Sequence, residues 1–88
     1  MEFEWDENKN RLNQEKHGVS FEAAKRAFVD PNRKIKPDAK HSQHEARYFC
    51  FGKVDGRILT VRFTIRGNKI RVIGVGEWRT GRKKYEED

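Results

Sequence analysis

Residues 47–75 read RYFCFGKVDGRILTVRFTIRGNKIRVIGV, three runs of alternating apolar and polar side chains separated by Asp55-Gly56 and Gly67-Asn68. Asp-Gly favours the two positive φ angles of a type I′ hairpin turn, and Gly-Asn is also a usable two-residue turn. The pattern predicts strands over Arg47–Val54, Arg57–Arg66 and Lys69–Val75, folded as an antiparallel meander. Two-residue turns also fix which residues face one another. In the second hairpin Ile65 falls opposite Ile70, Thr64 opposite Arg71, Phe63 opposite Val72 and Arg62 opposite Ile73. In the first, Val54 falls opposite Arg57, Cys50 opposite Val61, Phe49 opposite Arg62, Tyr48 opposite Phe63 and Arg47 opposite Thr64.

Alternation then sorts the side chains into two faces. One holds Tyr48, Cys50, Leu59, Val61, Phe63, Ile65, Ile70 and Val72, a core face for helices to cover. The other holds Arg47, Phe49, Phe51, Lys53, Thr60, Arg62, Thr64 and Arg71, with Ile73 and Val75. Arg47, Thr64 and Arg71 become neighbours across three strands, and Arg62 lies one pair away. Like charges grouped in this way destabilise a sheet unless something negative settles among them. A phosphate meets that need, because guanidinium groups offer it planar, bidentate donors, and Phe49 offers a ring on which a base can stack. In the competing arrangement the C-terminal segment folds over this face and the arginines pair with Glu77, Glu86 or Glu87.

Upstream, Phe3–Trp5 suits a short strand. Asp6 stands as an N-cap, with Glu7 in the first turn, for a polar helix running to about His17. Gly18 follows where a helix end favours glycine, and Lys16 and His17 meet the negative end of the dipole. Leu12 is the only aliphatic residue of that helix, which places it on the surface. Ser20 caps a second helix with Phe21, Ala24 and Phe28 on one face, ended by Asp30-Pro31. Lys34–Lys36 is open between strand and loop, Pro37–Gln43 reads as loop, and Thr80 to about Glu87 as a short helix. Trp5 and Trp78 are expected to be core anchors. The fold class is therefore α+β: two N-terminal helices packed on an antiparallel β-sheet, built from a three-strand meander plus one or two short N-terminal strands, with a short C-terminal helix.

A chain of 88 residues, 34% hydrophobic and 39% charged, has room for a single domain over residues 1–88 with a thin core, so an oligomer or a stabilising partner is expected. Lys and Arg number 20 against 14 Asp and Glu, a net charge of +6. From Arg57 to Lys84 there are nine basic residues and one acid, Glu77, whereas residues 1–30 carry seven acids and five bases. Such clustering is the footprint of a polyanion binder. Cys50 is the only cysteine, so no internal disulfide forms. No run approaches the ~20 apolar residues of a membrane span and no charged-then-apolar leader opens the chain, so a soluble cytoplasmic protein is expected. His41 and His44 have only Glu45 nearby as a third ligand, so neither a metal site nor a cofactor is expected.

Several stretches resemble the BrnT toxins. They are Trp5-Asp6-Glu7-Asn8-Lys9, the run Lys16-His17-Gly18-Val19-Ser20-Phe21-Glu22, Phe28 followed by Asp30, Glu45 with Arg47, Gly52, Gly56-Arg57, Arg66-Gly67 and Ile70-Arg71-Val72-Ile73. The resemblance spans nearly the whole chain in order, and its most specific part is the run from Lys16 to Glu22. It implies a RelE-like fold, metal-independent RNA cleavage, and neutralisation by a BrnA antitoxin with a ribbon-helix-helix DNA-binding region. Many members follow the last strand with Ser-Ala-Arg; here Gly74-Val75-Gly76-Glu77 stands there, with Arg79 two residues later.

If RNA is the substrate, a ribose 2′-OH attacking its neighbouring phosphate needs a base, cations for the charge on the phosphorane, and an acid for the leaving oxygen. Arg71 and Arg47 are the candidates for phosphate stabilisation and Arg62 for positioning the chain. Arg79 stands in for the missing Ser-Ala-Arg cation. His17 and Glu45 are the candidate bases, and Tyr85 or Lys84 the candidate acid. Phe49, Thr64 and Lys84 join Arg62 in holding the RNA. Expected partners are RNA and a BrnA-type antitoxin, in a homodimer or a toxin–antitoxin heterotetramer, with no membrane. The alternative is a module that binds nucleic acid or the antitoxin without catalysis.

Overall fold

The structure, a computed structural model, describes residues 1–87. Its elements are β1 (Glu2–Glu4), α1 (Glu7–His17), α2 (Phe21–Ala27), β2 (Lys34–Pro37), a 3₁₀ turn (Ala39–His41), β3 (Arg47–Val54), β4 (Arg57–Arg66), β5 (Lys69–Gly76) and α3 (Arg79–Glu86). The strands form one sheet in the order β1-β5-β4-β3-β2. The helices α1 and α2 pack on its apolar face and α3 on the opposite one, so the fold is α+β with a mixed sheet.

The first hairpin has the register that its turn dictates, from Val54 opposite Arg57 to Arg47 opposite Thr64. Asp55 and Gly56 supply the two positive φ angles, 51° and 80°. The second hairpin follows expectation from Arg66 opposite Lys69 to Phe63 opposite Val72, then slips. A bulge between Arg62 and Phe63 puts Arg62 opposite Gly74, not Ile73. Val75 thereby moves to the core face, where it is 1% exposed. The slip also sets Gly74 beneath the Arg62 side chain: a Cβ there would meet Arg62 Nη2 at 2.7 Å.

The sheet is mixed rather than antiparallel because β1 runs parallel to β5, with Phe3 opposite Ile70. That direction releases the chain toward the C-terminal half of β5, whose free edge α1 then covers. Asn13 does the covering: its Nδ2 donates to the Val75 carbonyl at 2.8 Å and its Oδ1 accepts from the Val75 N–H at 3.3 Å. Asn10, buried in the same helix, donates to the Glu7 and Glu22 carboxylates and accepts from the Phe21 N–H at 2.9 Å. Its bond holds the Glu22 carboxyl below the usual range. The polar helix α1 is thus docked by amide side chains, with Leu12 outside.

By contrast α2 is docked by apolar contact. Phe21, Ala24 and Ala27 are fully buried, and a Phe ring so placed contributes roughly 2–3 kcal/mol. At Gly52 a Cβ would run into the Ala27 carbonyl, so only glycine lets α2 sit this close to β3. The helix ends at Ala27, short of Asp30-Pro31, and Phe28 packs edge-on against Phe3 and Phe63. Asp30 lies buried just beyond. It accepts from the Asn32 N–H, the Lys53 N–H and the Tyr85 hydroxyl, the last at 2.6 Å. That bond ties α3 to the other face of the molecule. No helix among the described residues is long and apolar enough to cross a membrane.

Candidate nucleic-acid interface

The face opposite α1 and α2 is laid out in rows by strand pairing. One row runs Arg47, Thr64, Arg71, Glu4; the next Lys36, Phe49, Arg62, Gly74; the third Lys34, Phe51, Thr60, Gly76. Over the third row lie α3 and Trp78, since a Cβ on Gly81 would collide with Thr60 Oγ1 and one on Gly76 with the indole. The first two rows carry no helix.

Two adjoining grooves follow the edge of this cover. A groove of 370 Å³ is lined by Lys36, Pro37, Phe49, Phe51, Thr60, Thr80, Gly81 and Lys84. A second, of 430 Å³, is lined by Lys16, His17, Phe49, Thr60, Arg62, Trp78 and Thr80. They share Phe49, Thr60 and Thr80. Four basic residues therefore reach one continuous depression with two aromatic walls and an imidazole. Phe49 stacks on Phe51 with centroids 5.6 Å apart. His17, projecting from the end of α1, meets Trp78 edge-on at 5.2 Å.

The candidate residues separate into two groups. Arg62, Phe49, Lys84 and His17 line the grooves, and Arg62 has no ion-pair partner among the described residues. Arg47 and Arg71 sit side by side with Thr64, as the register requires, yet each is held by a carboxylate. Arg71 Nη1 is 3.1 Å from Glu4, and Arg47 Nη2 is 3.5 Å from Glu45. Glu45 also holds Arg66 at 3.4 Å, so two guanidinium groups flank the carboxylate proposed as a base. The expected partners Glu77, Glu86 and Glu87 are occupied by Arg57, Arg82 and Lys84. The Thr64 hydroxyl is buried and donates to the Ala46 carbonyl at 2.7 Å, which turns it away from any ligand. Arg79 lines a separate depression with Ile58, Glu77, Trp78 and Arg82, away from Arg47 and Arg71.

Other side chains are committed elsewhere. The Tyr85 hydroxyl, held by Asp30, is pushed to a higher pKa by that bond and is part of the α3 tether. Burial pushes the Asp30 carboxyl up, but the hydrogen bond from Tyr85 and those from the Lys53 and Asn32 N–H groups outweigh it and leave the group below its ordinary value. Burial pushes the Cys50 thiol up to about 12, which keeps it protonated and unreactive. His41 Nδ1 lies 2.9 Å from Asp38, and among the described residues no cluster of three His, Cys, Asp or Glu could hold a metal ion.

Trp78 is not a core anchor: it is 42% exposed and forms a wall of the second groove. The slip that placed glycines at 74 and 76 opened the surface on which it lies. Lys16, Lys36 and Thr80 were not legible as groove residues. For Lys36 the only signal was its alternation with Ile35, and no short turn fixed the register of β2 against β3.

No curated protein matches this chain. The family model described as ribonuclease toxin, BrnT, of type II toxin-antitoxin system matches residues 5–81, which takes in both asparagine-docked and apolar-docked helices, the meander and the start of α3. The match covers most of the chain and includes Lys16, His17, Lys36, Phe49 and Arg62; the chain belongs to the BrnT family of ribonuclease toxins of type II toxin–antitoxin systems.

Proposed function

We propose that the chain cuts RNA in the two grooves beside Arg62, without a metal, by internal attack of a ribose 2′-OH on the adjacent phosphate. A base takes the 2′-OH proton, the O2′–P bond forms, the P–O5′ bond breaks, and an acid protonates O5′, leaving a 2′,3′-cyclic phosphate and a 5′-hydroxyl. Arg62 stabilises the charge gathering on the phosphorane oxygens. His17, whose imidazole can both take and give a proton, is the acid–base group that lines the same groove. Phe49 and Trp78 stack the flanking bases, and Lys16, Lys36 and Lys84 follow the backbone. Arg47 and Arg71 raise the local potential from within their carboxylate pairs, Glu45 orients Arg47, and Arg79 meets the strand as it leaves past Trp78. The order of helices, meander and C-terminal helix fits a RelE-like fold, and a BrnA-type ribbon-helix-helix antitoxin neutralises the toxin in a heterotetramer.

One observation carries this reading: among the guanidinium groups on the open face, Arg62 alone combines a place in the groove with His17 and freedom from a carboxylate among the described residues. The test is RNA cleavage and growth arrest for Arg62→Ala beside Arg71→Ala, in chelator-containing buffer. Arg62→Ala is expected to lose about 100-fold in cleavage rate while melting as the wild type does, and Arg71→Ala to lose far less. Equal losses would return the leading role to the paired arginines. Salt-dependent RNA binding with no product from the wild type would make the chain a binder without chemistry.

A further inference from the structure

The apolar face of the sheet is not wholly covered by its helices. Because α2 stops at Ala27, the sheet beyond Phe28 lies open as a groove of 680 Å³, larger than either groove beside Phe49, with Phe3, Phe28, Val29, Ile35 and Ile65 along it. Alternation assigns Ile65 to the same face as Phe63, and β2 pairing assigns Ile35 to the face of Cys50. Both belong on a buried surface, yet Ile65 is 55% exposed and Ile35 45%, with Val29 beside them at 77%. Scattered apolar side chains on a surface are ordinary, but a contiguous apolar groove marks a place where another molecule sits.

Arg33 and Lys69 also line the groove, and neither has an ion-pair partner among the described residues. The occupant is therefore apolar along its centre and acidic at its rim. A second copy of the chain fits badly: its net charge is +6, and a twofold contact through this groove would bring the Arg33 and Lys69 pairs of both copies together. An RNA strand gains nothing from an apolar floor. A toxin of a type II system has a protein antitoxin as its partner, and this proposal rests on that reading.

We infer that this groove receives an amphipathic helical segment of the antitoxin, with apolar side chains on Phe28, Ile35 and Ile65 and carboxylates toward Arg33 and Lys69. From β1 to β2 there are four strand spacings, ~19 Å, which about 13 helical residues span. The segment takes the place that a longer α2 would have filled. The groove lies on the opposite face of the sheet from Arg62, so docking and active-site inhibition are separable events. An antitoxin anchored here silences the enzyme only through a further part that reaches around to the basic face.

The test is co-expression of the full chain with the product of the adjoining reading frame, followed by measured affinity of the purified pair. Ile65→Asp is expected to weaken the complex at least about ten-fold while leaving RNA cleavage intact, since one buried Ile side chain is worth that much. Arg33→Glu is expected to weaken it at low salt and less at high salt, which reads the same surface should Ile65→Asp fail to fold. Arg62→Ala is expected to bind the partner as the wild type does. Wild-type affinity in both Ile65→Asp and Arg33→Glu overturns the docking site while leaving the antitoxin reading intact. A wild type that does not bind the neighbouring product overturns that reading and this proposal with it. An isolated wild type that is dimeric, with Ile65→Asp monomeric, would assign the groove to a second copy instead.

Discussion

The two ends of the sheet face opposite α1 and α2 are treated in contrary ways. At one end Phe51, Thr60 and Gly76 lie under Gly81 of α3 and under Trp78, in a close contact that only glycines at 76 and 81 permit. At the other end Arg47, Thr64 and Arg71 stand side by side with no helix above them. There the charges are offset from within: Glu4 from β1 and Glu45 from the loop before β3 pair with the partly buried guanidinium groups. A row of like charges thus needs no external anion when the neighbouring segments bring their own. Of the guanidinium groups on this face only Arg62, at the boundary between the two ends, has no carboxylate partner among the described residues. A basic face read from alternation therefore overstates the number of guanidinium groups available to RNA.

Breaking the covered end has the larger effect. Gly81→Ala drives a methyl group into Thr60 Oγ1, which is buried without a hydrogen-bond partner. The strain is expected to cost about 1–3 kcal/mol, a fall in melting temperature of roughly 4–8 °C for each kcal/mol in a domain of this size. RNA cleavage should fall too, because Thr80 and Lys84 leave the groove with the helix. Adding Thr60→Ala should restore most of the stability. A Gly81→Ala protein that melts as the wild type does would show that α3 is not seated on Thr60.

A gentler break removes the tether. Tyr85→Phe deletes a hydrogen bond to the buried Asp30 carboxylate, worth about 1.5 kcal/mol or somewhat more for a charged acceptor. Asp30 has a lowered pKa in the folded chain, so its stabilisation is fully present above the unfolded carboxylate value and is lost as pH falls through the lower folded one. The difference between Tyr85→Phe and wild type should therefore be constant near neutrality and shrink in acid, below about pH 4. A difference independent of pH would assign the loss to packing of the ring rather than to the bond with Asp30.

The meander was legible because two short turns fix a register, and the first hairpin obeys it throughout. The second departs at Ile73, where burying Val75 and clearing Gly74 beneath Arg62 favour a bulge that alternation cannot announce. Nor did alternation show which carboxylates would reach the arginines. Glu4 lies 67 residues before Arg71, and it comes alongside only because β1 joins the sheet in parallel. The docking of α1 was hidden for a similar reason. Asn10 and Asn13 are two among many polar residues of that helix, and their work as partners for backbone groups depends on where the start of α2 and the end of β5 come to lie. His17 was legible as a helix terminus and a candidate base, but its contact with Trp78 and its place in one groove with Arg62 follow from α1 covering the edge of β5.

The open end is probed by releasing its cations. The pair of Arg71 with Glu4 is about two-thirds shielded from water and has room to exchange with solvent, so its contribution to stability is on the order of 0–1 kcal/mol. Glu4→Gln should therefore leave the melting temperature nearly unchanged. It frees one guanidinium for phosphate, and each added phosphate contact on a single strand steepens the dependence of log affinity on log salt by about 0.7. Glu45→Gln frees both Arg47 and Arg66 and should steepen it by up to about twice as much on the same count. Affinity for a short single-stranded RNA, measured across salt concentrations, reads both. Slopes that rise in this ratio would place the RNA across the whole open end, with the carboxylates as its competitors. Slopes that do not move would confine the RNA to the grooves beside Arg62, and Glu4 and Glu45 would then serve only to keep the first row of the sheet together.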